Sequence, residues 1–375
     1  MKVCFVTTYP LDRRELGGSS WVDRRLLTAL GERHDVAVVS VTGPEGARTE
    51  CGFTVRSAGS VPLEIRSDPA RLARVAGSML FSAQPYQARK FSAFPGWRGA
   101  AALLRQSAAG RVVIASGWPG LLLASAAGVP VRAYVAHNVE STIATAHAPW
   151  PLRLLGETWR MPRAERALLR YPRRVFTLSR TDATVLQGWG VPAEQLPVPL
   201  VPRAQHPTGD AVGFIGKASW PPNEQALAVL LGPVHEQLER WGVPVRLVLA
   251  GTGTEAHAGH PRVTALGRVA DEADFYRRVG LVVVPRFGAS TGISVKMLEA
   301  AEFGLPSVVP PELAAAVDPD GPWLAAADPD RTAAVVRRWV AGELAVPVSD
   351  WVRRQEAASA AELLVSDPHQ PTAIR

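Results

Sequence analysis

The chain has 375 residues but only two cysteines, Cys4 and Cys51, far apart and without a Cys-x-x-Cys spacing. That scarcity excludes a disulfide framework and a zinc cluster, and it fits a reducing compartment. No run of about 20 uninterrupted apolar residues occurs, so no segment is expected to span a bilayer. The opening MKVCFVTTYP passes straight into charged LDRRELGG and offers no secretory apolar stretch, so the expected location is the cytoplasm, extending to the inner face of the membrane. There is no helix-turn-helix, RNP or zinc-finger pattern, which argues against nucleic acid as a partner. The Gly-x-Gly-x-x-Gly fingerprint is missing after the first strand, which argues against a nicotinamide-dependent dehydrogenase.

What is present is a basic, globular chain. The net charge is +7, the pI is near 9.9 and 47% of residues are apolar. At roughly 100–200 residues per domain, this length suits two domains. A basic surface suits an anionic membrane or a phosphorylated substrate. Arginine richness also follows from a GC-rich coding sequence, with no functional meaning.

The pattern alternates short apolar runs with helical periodicity. Strands are expected at Lys2–Thr7, 36–41, 53–55, 112–115, Val131–Ala136 and 175–178, and a helix at 19–30 with Val22, Leu26, Leu27 and Leu30 on one face. Continuous apolar runs of this kind belong to parallel strands buried on both faces. Proline-rich GWGVPAEQLPVPLVPRAQHPTGD marks a linker, after which the pattern restarts. Strands are expected at 212–215, 245–250, 262–266, 281–284 and 306–309. Helices are expected at 223–241, 271–279, 293–303, 331–340 and 350–364. The fold class is therefore α/β, with two Rossmann-like doubly wound domains, at 1–200 and 201–349.

Chemistry-bearing residues sit where strands of this kind end. RFGASTGISVKMLEAAEFG (286–304) follows the apolar LVVVP. Small residues Ser290, Thr291, Gly292 and Ile293 open a helix, whose N-terminal N–H groups suit a phosphate. Lys296 and Glu299, three apart, share a helix face and suit a phosphate and a sugar hydroxyl. Gly17 and Gly18 precede the first long helix and either approach a ligand closely or simply form a turn. His137-Asn138-Val139-Glu140 follows a strand directly; His137 either bonds a sugar hydroxyl or caps a helix. Lys217, after GFIG, is a candidate phosphate partner or a plain surface lysine. Gly267 to Val269 suits a nucleobase edge or an ordinary turn. Arginines crowd 153–174 with Leu154, Trp159 and Leu168 between them, as on a basic amphipathic face for a membrane or anionic acceptor. The more ordinary reading there is a solvated face partly neutralised by Glu157 and Glu165.

In this order, GGSSWVDRRLLTAL, AHNVE, FTLSRTDATVL, VGFIGKASWPPNEQAL and RFGASTGISVKMLEAAEFGLPSVV resemble glycosyltransferase family 4, retaining enzymes of GT-B fold, over most of the chain. The resemblance implies two domains facing across a cleft, with the C-terminal helix (350–375) packing back on the first, acceptor-side domain. It implies a nucleoside-diphosphate sugar as co-substrate, a small-molecule or glycan acceptor, and neither a separate cofactor nor a metal. Lys217 matches the family's diphosphate-binding cation. Its second basic residue, five positions on, is Pro222 here, a role open to Lys296. Glu299 matches the ribose-binding glutamate, and Thr291 stands where a glutamate usually holds a sugar hydroxyl. His137 matches the histidine near the transferred sugar, and Gly17 or Gly18 the loop over phosphate and acceptor. The alternatives are a nucleotide-sugar 2-epimerase, for which no convincingly placed acid/base carboxylates are seen, and a non-catalytic binding protein of the same fold.

Overall fold

The computed structural model describes residues 1–12, 18–59, 61, 68–203, 209–288, 291–355 and 357–366. Gly17 and Ser290 lie outside the described residues. The chain forms two compact units: Met1–Pro199 with Thr291–Ile293 and Ala357–Arg375, and Leu200–Ser290 with Ser294–Glu356.

The first unit is built on an eight-stranded sheet. Its strands are β1 (Lys2–Thr7), β2 (Asp35–Ser40), β3 (Gly46–Glu50), β4 (Phe53–Ser57), β5 (Val112–Ser116), β6 (Val131–Ala136), β7 (Arg174–Thr177) and β8 (Ala193–Gln195). Their order is β3-β4-β2-β1-β5-β6-β7-β8, and β3–β4 is the antiparallel pair. The β3 strand GARTE is polar and lies at the sheet edge, so it carries none of the apolar signal that marks its neighbours. The sheet winds both ways from β1, which places a topological switch point between β1 and β5. Val6, Val39, Val113, Ala115 and Val131 pack with Leu104, Leu121 and Trp97 from the covering helices. Helix Ala357–Val365 contacts helix Gly18–Gly31 and β6, and Arg33 donates to Glu362 at 2.6 Å.

The second unit has six strands, β9 (Ala211–Ile215), β10 (Leu247–Ala250), β11 (Val263–Gly267), β12 (Val279–Val283), β13 (Ser307–Val309) and β14 (Trp323–Ala325). Their order, β11-β10-β9-β12-β13-β14, is the doubly wound 3-2-1-4-5-6 arrangement with its switch point between β9 and β12. Val212, Phe214, Leu247, Leu281 and Val283 form the core with Leu227, Leu230 and Val336.

Three expected helices are corrected. The span 223–241 divides into Pro221–Val229, a π-type turn at Leu230–Val234 and His235–Arg240. Pro233 lies inside the turn and Gly232 leaves helical geometry at φ −97°, ψ −107°, as a missing N–H and the ring clash require. The span 271–279 contracts to Ala273–Tyr276, because Val279 opens β12. The span 350–364 is two helices, Val348–Arg354 in the second unit and Ala357–Val365 in the first.

The arginine-rich stretch also differs from its expected form. Glu157 and Glu165 are buried and do not neutralise an outer face. The Glu157 carboxylate accepts from Tyr86 N at 2.5 Å and Gln87 N at 3.2 Å, capping helix Tyr86–Ser92. Glu165 accepts from Glu140 N at 2.8 Å and Ser141 N at 2.9 Å, capping helix Glu140–His147. Each satisfies N–H groups that a helix start leaves unpaired and sits at the positive end of its dipole.

Glu157→Ala should therefore cost about 1–3 kcal/mol, since two amides lose their acceptor, while Glu157→Gln keeps an acceptor and loses less. The midpoint of urea unfolding followed by circular dichroism measures both; equal midpoints for Ala and wild type would refute the capping role.

Candidate functional site

In the first unit, polar residues collect at the C-terminal ends of β1, β5 and β6, beside the switch point. Thr7 ends β1, Ser116 ends β5 and His137 follows β6. Asp23, on helix Gly18–Gly31, is buried among them. Its Oδ2 accepts from Thr7 Oγ1 at 2.5 Å and its Oδ1 from Ser116 Oγ at 2.5 Å. Ser116 Oγ also lies 2.7 Å from His137 Nε2, which is 3.4 Å from Asp23 Oδ1. A hydroxyl has one proton. If Ser116 gives it to the Asp23 carboxylate, its oxygen accepts from His137 Nε2–H, and Nδ1 is the ring nitrogen left for a ligand. His137 is not the helix cap: the N-cap is Val139, and Glu165 supplies the capping bonds. Asp23 and Ser116 were missed from the sequence; both lie among residues that read as ordinary helix and strand.

Glu140, at the same corner, has its carboxyl raised to about 7 by burial and then by the charge of Glu165. Gly18 is the first residue of its helix, half-buried.

Thr291–Ile293 group with the first unit. The Asp182 carboxylate accepts from Thr291 Oγ1 at 2.9 Å and from Gly292 N at 2.8 Å, and Thr291 Oγ1 accepts from Val139 N at 2.8 Å. Burial raises the Asp182 pKa, and these two hydrogen bonds oppose the rise. The hydroxyl and amide read as phosphate and sugar contacts are thus bonded to a carboxylate in this structure. Gly292 has φ +73°, and a Cβ there would overlap Asn138 Oδ1 and His137 O, so no larger residue fits. Ile293 is half-buried.

In the second unit the ends of β9 and β12 bring cations together. Lys296, on helix Val295–Glu302, is half-buried; its Nζ donates to Asn223 Oδ1 at 3.1 Å and lies 5.5 Å from the centre of the Phe214 ring. Asn223 is the neighbour of Pro222, so the Lys296 amine reaches the start of helix Pro221–Val229. Asn223 Nδ2 in turn donates to Lys217 O at 2.9 Å. The Lys217 side chain is exposed. Arg286, three residues beyond β12, stacks on Trp220 at 4.8 Å, and its buried Nε has no hydrogen-bond partner among the described residues. Burial brings the Arg286 guanidinium down to about 10. Burial, then the Arg286 charge, bring the Lys296 ammonium down to about 8. Neither has an ion-pair partner within 4.0 Å among the described residues, and the Glu299 charge only partly opposes the lowering at Lys296. Sequence reading left Arg286 without a role, although a charged residue just past a buried strand is itself a signal.

The packing around this pair is tight. A Cβ on Gly216 would lie 2.7 Å from Asn223 Nδ2 and 2.8 Å from Lys296 Cε, so glycine lets the strand end approach both. The buried Ser294 hydroxyl at the N-cap of helix Val295–Glu302 also lacks a partner among the described residues. Glu299, one turn on from Lys296, accepts from Tyr276 O–H at 2.9 Å. Burial, then Glu272 and Glu302, raise its carboxyl to about 7 against the Tyr276 hydrogen bond and Lys296. Gly267 ends the edge strand β11, and Val269 is half-buried beyond it. Glu255 organises this corner by accepting from Gly253 N at 2.8 Å.

Two Asp-x-Asp sequences, Asp318-Pro-Asp320 and Asp328-Pro-Asp330, have structural work. Asp318 accepts from Trp351 Nε1 at 2.8 Å and Asp328 caps helix Pro329–Val340 through Arg331 N at 2.7 Å.

Residues 209–341 match the model of a family described as glycosyl transferases group 1. A comparison with curated protein sequences gives no match. Among solved structures, the chain is similar to a sucrose-phosphate synthase from Thermosynechococcus elongatus, at 12% identity over 97% of this chain and 94% of that one, with a TM-score of 0.62. It is similar to the Anabaena HepE protein in complex with UDP-glucose, at 13% identity over 97% and 98%, TM-score 0.59. It is also similar to a trehalose-phosphate synthase from Burkholderia xenovorans in complex with glucose-6-phosphate, at 11% identity over 96% and 98%, TM-score 0.61. At these identities the likeness shows the fold, GT-B. Together with the family match, it supports a sugar transferase.

A carboxyl with a higher pKa in the folded chain holds its proton more tightly there, so stability falls as pH rises through the interval. For Glu299 the interval runs from 4.5 to about 7, and Glu140 covers the same range. Glu299→Gln and Glu140→Gln should each flatten the fall in melting temperature between these pH values and leave the protein more stable than wild type at pH above the interval. Unchanged slopes would show that these carboxyls are not held neutral by the fold.

Proposed function

We propose that this chain is a retaining glycosyltransferase of family 4 type, moving a sugar from a nucleoside-diphosphate sugar to an acceptor hydroxyl without a metal. The observation that carries the reading is the Lys296–Arg286 pair: two partly desolvated cations with no carboxylate within ion-pair distance among the described residues, at the switch point of a doubly wound sheet. Like charges held this way raise each other's cost, and a diphosphate relieves it. The like-folded HepE protein binds UDP-glucose, which makes a uridine donor the first to try.

In this reading the reaction proceeds through an oxocarbenium-like sugar while the sugar–phosphate bond breaks. Lys296, Arg286 and Lys217 stabilise the negative charge that grows on the departing diphosphate. Glu299 accepts from the ribose hydroxyls, with Tyr276 fixing its orientation. His137, its Nε2 side committed to Ser116 and Asp23, offers Nδ1 to a hydroxyl of the transferred sugar. Same-face attack, with the leaving phosphate taking the acceptor proton, gives retention; that step rests on the family resemblance.

Isothermal titration with UDP, and with GDP, TDP and ADP beside it, tests donor binding. Lys296→Ala and Arg286→Ala should each weaken the preferred nucleotide by about tenfold or more, at roughly 1.5–3 kcal/mol per charge-assisted bond. Gly216→Ala should weaken it too by displacing Lys296. Binding needs the Lys296 proton, which the free protein loses above about 8. Affinity should therefore hold below that pH and fall by up to tenfold per unit above it. Failure of every nucleoside diphosphate to bind, or affinity indifferent to Lys296 and Arg286, would remove the reading. Release of nucleotide and transfer to an acceptor, with the product's anomeric configuration determined by NMR, separates a transferase from a binding protein and retention from inversion.

A further inference from the structure

Part of the first unit that the proposed chemistry does not use has an unusual surface. Helix Pro69–Leu80 ends at Leu80, 68% exposed, and its C-cap Phe81 is 93% exposed. Helix Trp150–Leu154 presents Trp150, 72% exposed, and Leu154, 77% exposed, four residues apart on one face. Its opposite side is conventional: Leu152 and the following Leu155 pack on Val75, Met79, Tyr86 and Phe94. Trp159, 51% exposed, opens the next helix, Glu157–Leu168.

These side chains belong to one surface. Arg160 Nη1 donates to Met79 O at 3.0 Å and Ser82 O at 2.8 Å, the carbonyls flanking Leu80 and Phe81, while its guanidinium lies 5.2 Å from the Trp159 ring centre. Arg163 lies over the same ring at 5.3 Å. The Leu152–Leu155 contact with Met79 fixes helix Trp150–Leu154 beside helix Pro69–Leu80.

The charge of this region is predominantly basic; Asp68, at the far end of helix Pro69–Leu80 from Leu80, pairs with Arg71 at 2.9 Å. From Pro69 to Phe94 the sequence has no Asp or Glu, and from Ser141 to Ala164 it has only Glu157, which is buried as the cap of helix Tyr86–Ser92. Exposed Arg74, Arg153 and Arg163 lie on the same three helices as the apolar residues.

We propose that this surface binds an anionic lipid bilayer. The choice of occupant follows from charge and shape. Arginines accompany the apolar side chains, with Arg160 and Arg163 over Trp159, as where lipid phosphates are met, and tryptophans suit the headgroup boundary. Phe81 is almost fully exposed, which suits insertion between acyl chains. Among the described residues no helix is long and apolar enough to cross a membrane, so the binding is peripheral. The expected basic face at 153–174 is thereby relocated: two of its five exposed apolar residues, Leu80 and Phe81, come from a segment distant in sequence, and two of the stretch's charges, Glu157 and Glu165, are buried.

Sedimentation of the full chain with phosphatidylglycerol-containing vesicles, against pure phosphatidylcholine vesicles, tests this. Binding should require the anionic lipid and weaken with salt. Phe81→Ala/Trp150→Ala should lower partitioning by about tenfold, and Arg153→Glu/Arg163→Glu should abolish it, whereas Trp241→Ala, on the second unit, should change nothing. All these positions are exposed, so melting temperatures should stay near wild type, and UDP titration of the same variants should be unchanged, which separates this proposal from the nucleotide reading. No binding to the anionic vesicles, or binding indifferent to both double variants, overturns it. Self-association in light scattering that Phe81→Ala/Trp150→Ala removes, without vesicle binding, overturns it in favour of a protein interface.

Discussion

The second unit depends on holding Lys296 and Arg286 near one another with no direct ion pair to either among the described residues; the Glu299 charge offsets only part of the cost at Lys296. Keeping two cations partly out of water is costly, as the lowered pKa of each records. The fold tolerates it because other contacts hold the side chains: Asn223 accepts from the ammonium, and the Phe214 and Trp220 rings offer their faces to ammonium and guanidinium. Gly216 leaves the room. None of these partners carries a negative charge, so the site stays electropositive. A carboxylate in place of Asn223 would stabilise the free protein better and would also satisfy the cations that a phosphate should find unsatisfied.

Elsewhere the chain uses its carboxylates on backbone amides. Glu157 and Glu165 each close a helix start supplied by another part of the first unit. Asp182 takes the Gly292 amide and the Thr291 hydroxyl, and Glu50 accepts from Leu11 N at 2.6 Å. These acids tie segments far apart in sequence, and burial costs them less because each accepts two hydrogen bonds or sits at a helix dipole. Arginines, by contrast, remain largely at the surface, where they snorkel and stack on Trp159 and Trp189. The formal charge is modest for the chain's size, but the outside is more basic than the composition suggests.

The apolar runs made the parallel sheets legible, since strands buried on both faces are nearly continuous in Val, Leu and Ile. Val131–Ala136 was read to the residue, and so was β1. The edge strand β3 was not legible, because a polar strand at a sheet margin looks like a loop. Pro233 was visible, yet a long periodic run around it concealed the break it makes. At the site, residues next to strand ends stood out: Lys217, His137, and the Lys296–Glu299 pair. Asp23 did not, because a single acid on an otherwise amphipathic helix carries no local signal; only the pairing of β1, β5 and β6 brings Thr7, Ser116 and His137 to it. Glu157 and Glu165 were visible as charges but misplaced, since i, i+4 patterning cannot tell an outward acid from one that caps a neighbouring helix.

The Asp182–Thr291–Gly292 bonds place a restriction on how this chain can drift. Position 291 must supply a donor to a buried carboxylate, and position 292 must lack a side chain. A glutamate at 291, the residue of the resembled pattern, would set a second acid against Asp182 and leave Val139 N to find another acceptor geometry. Thr291 and Asp182 therefore act as one unit: a substitution at either leaves the other without its partner.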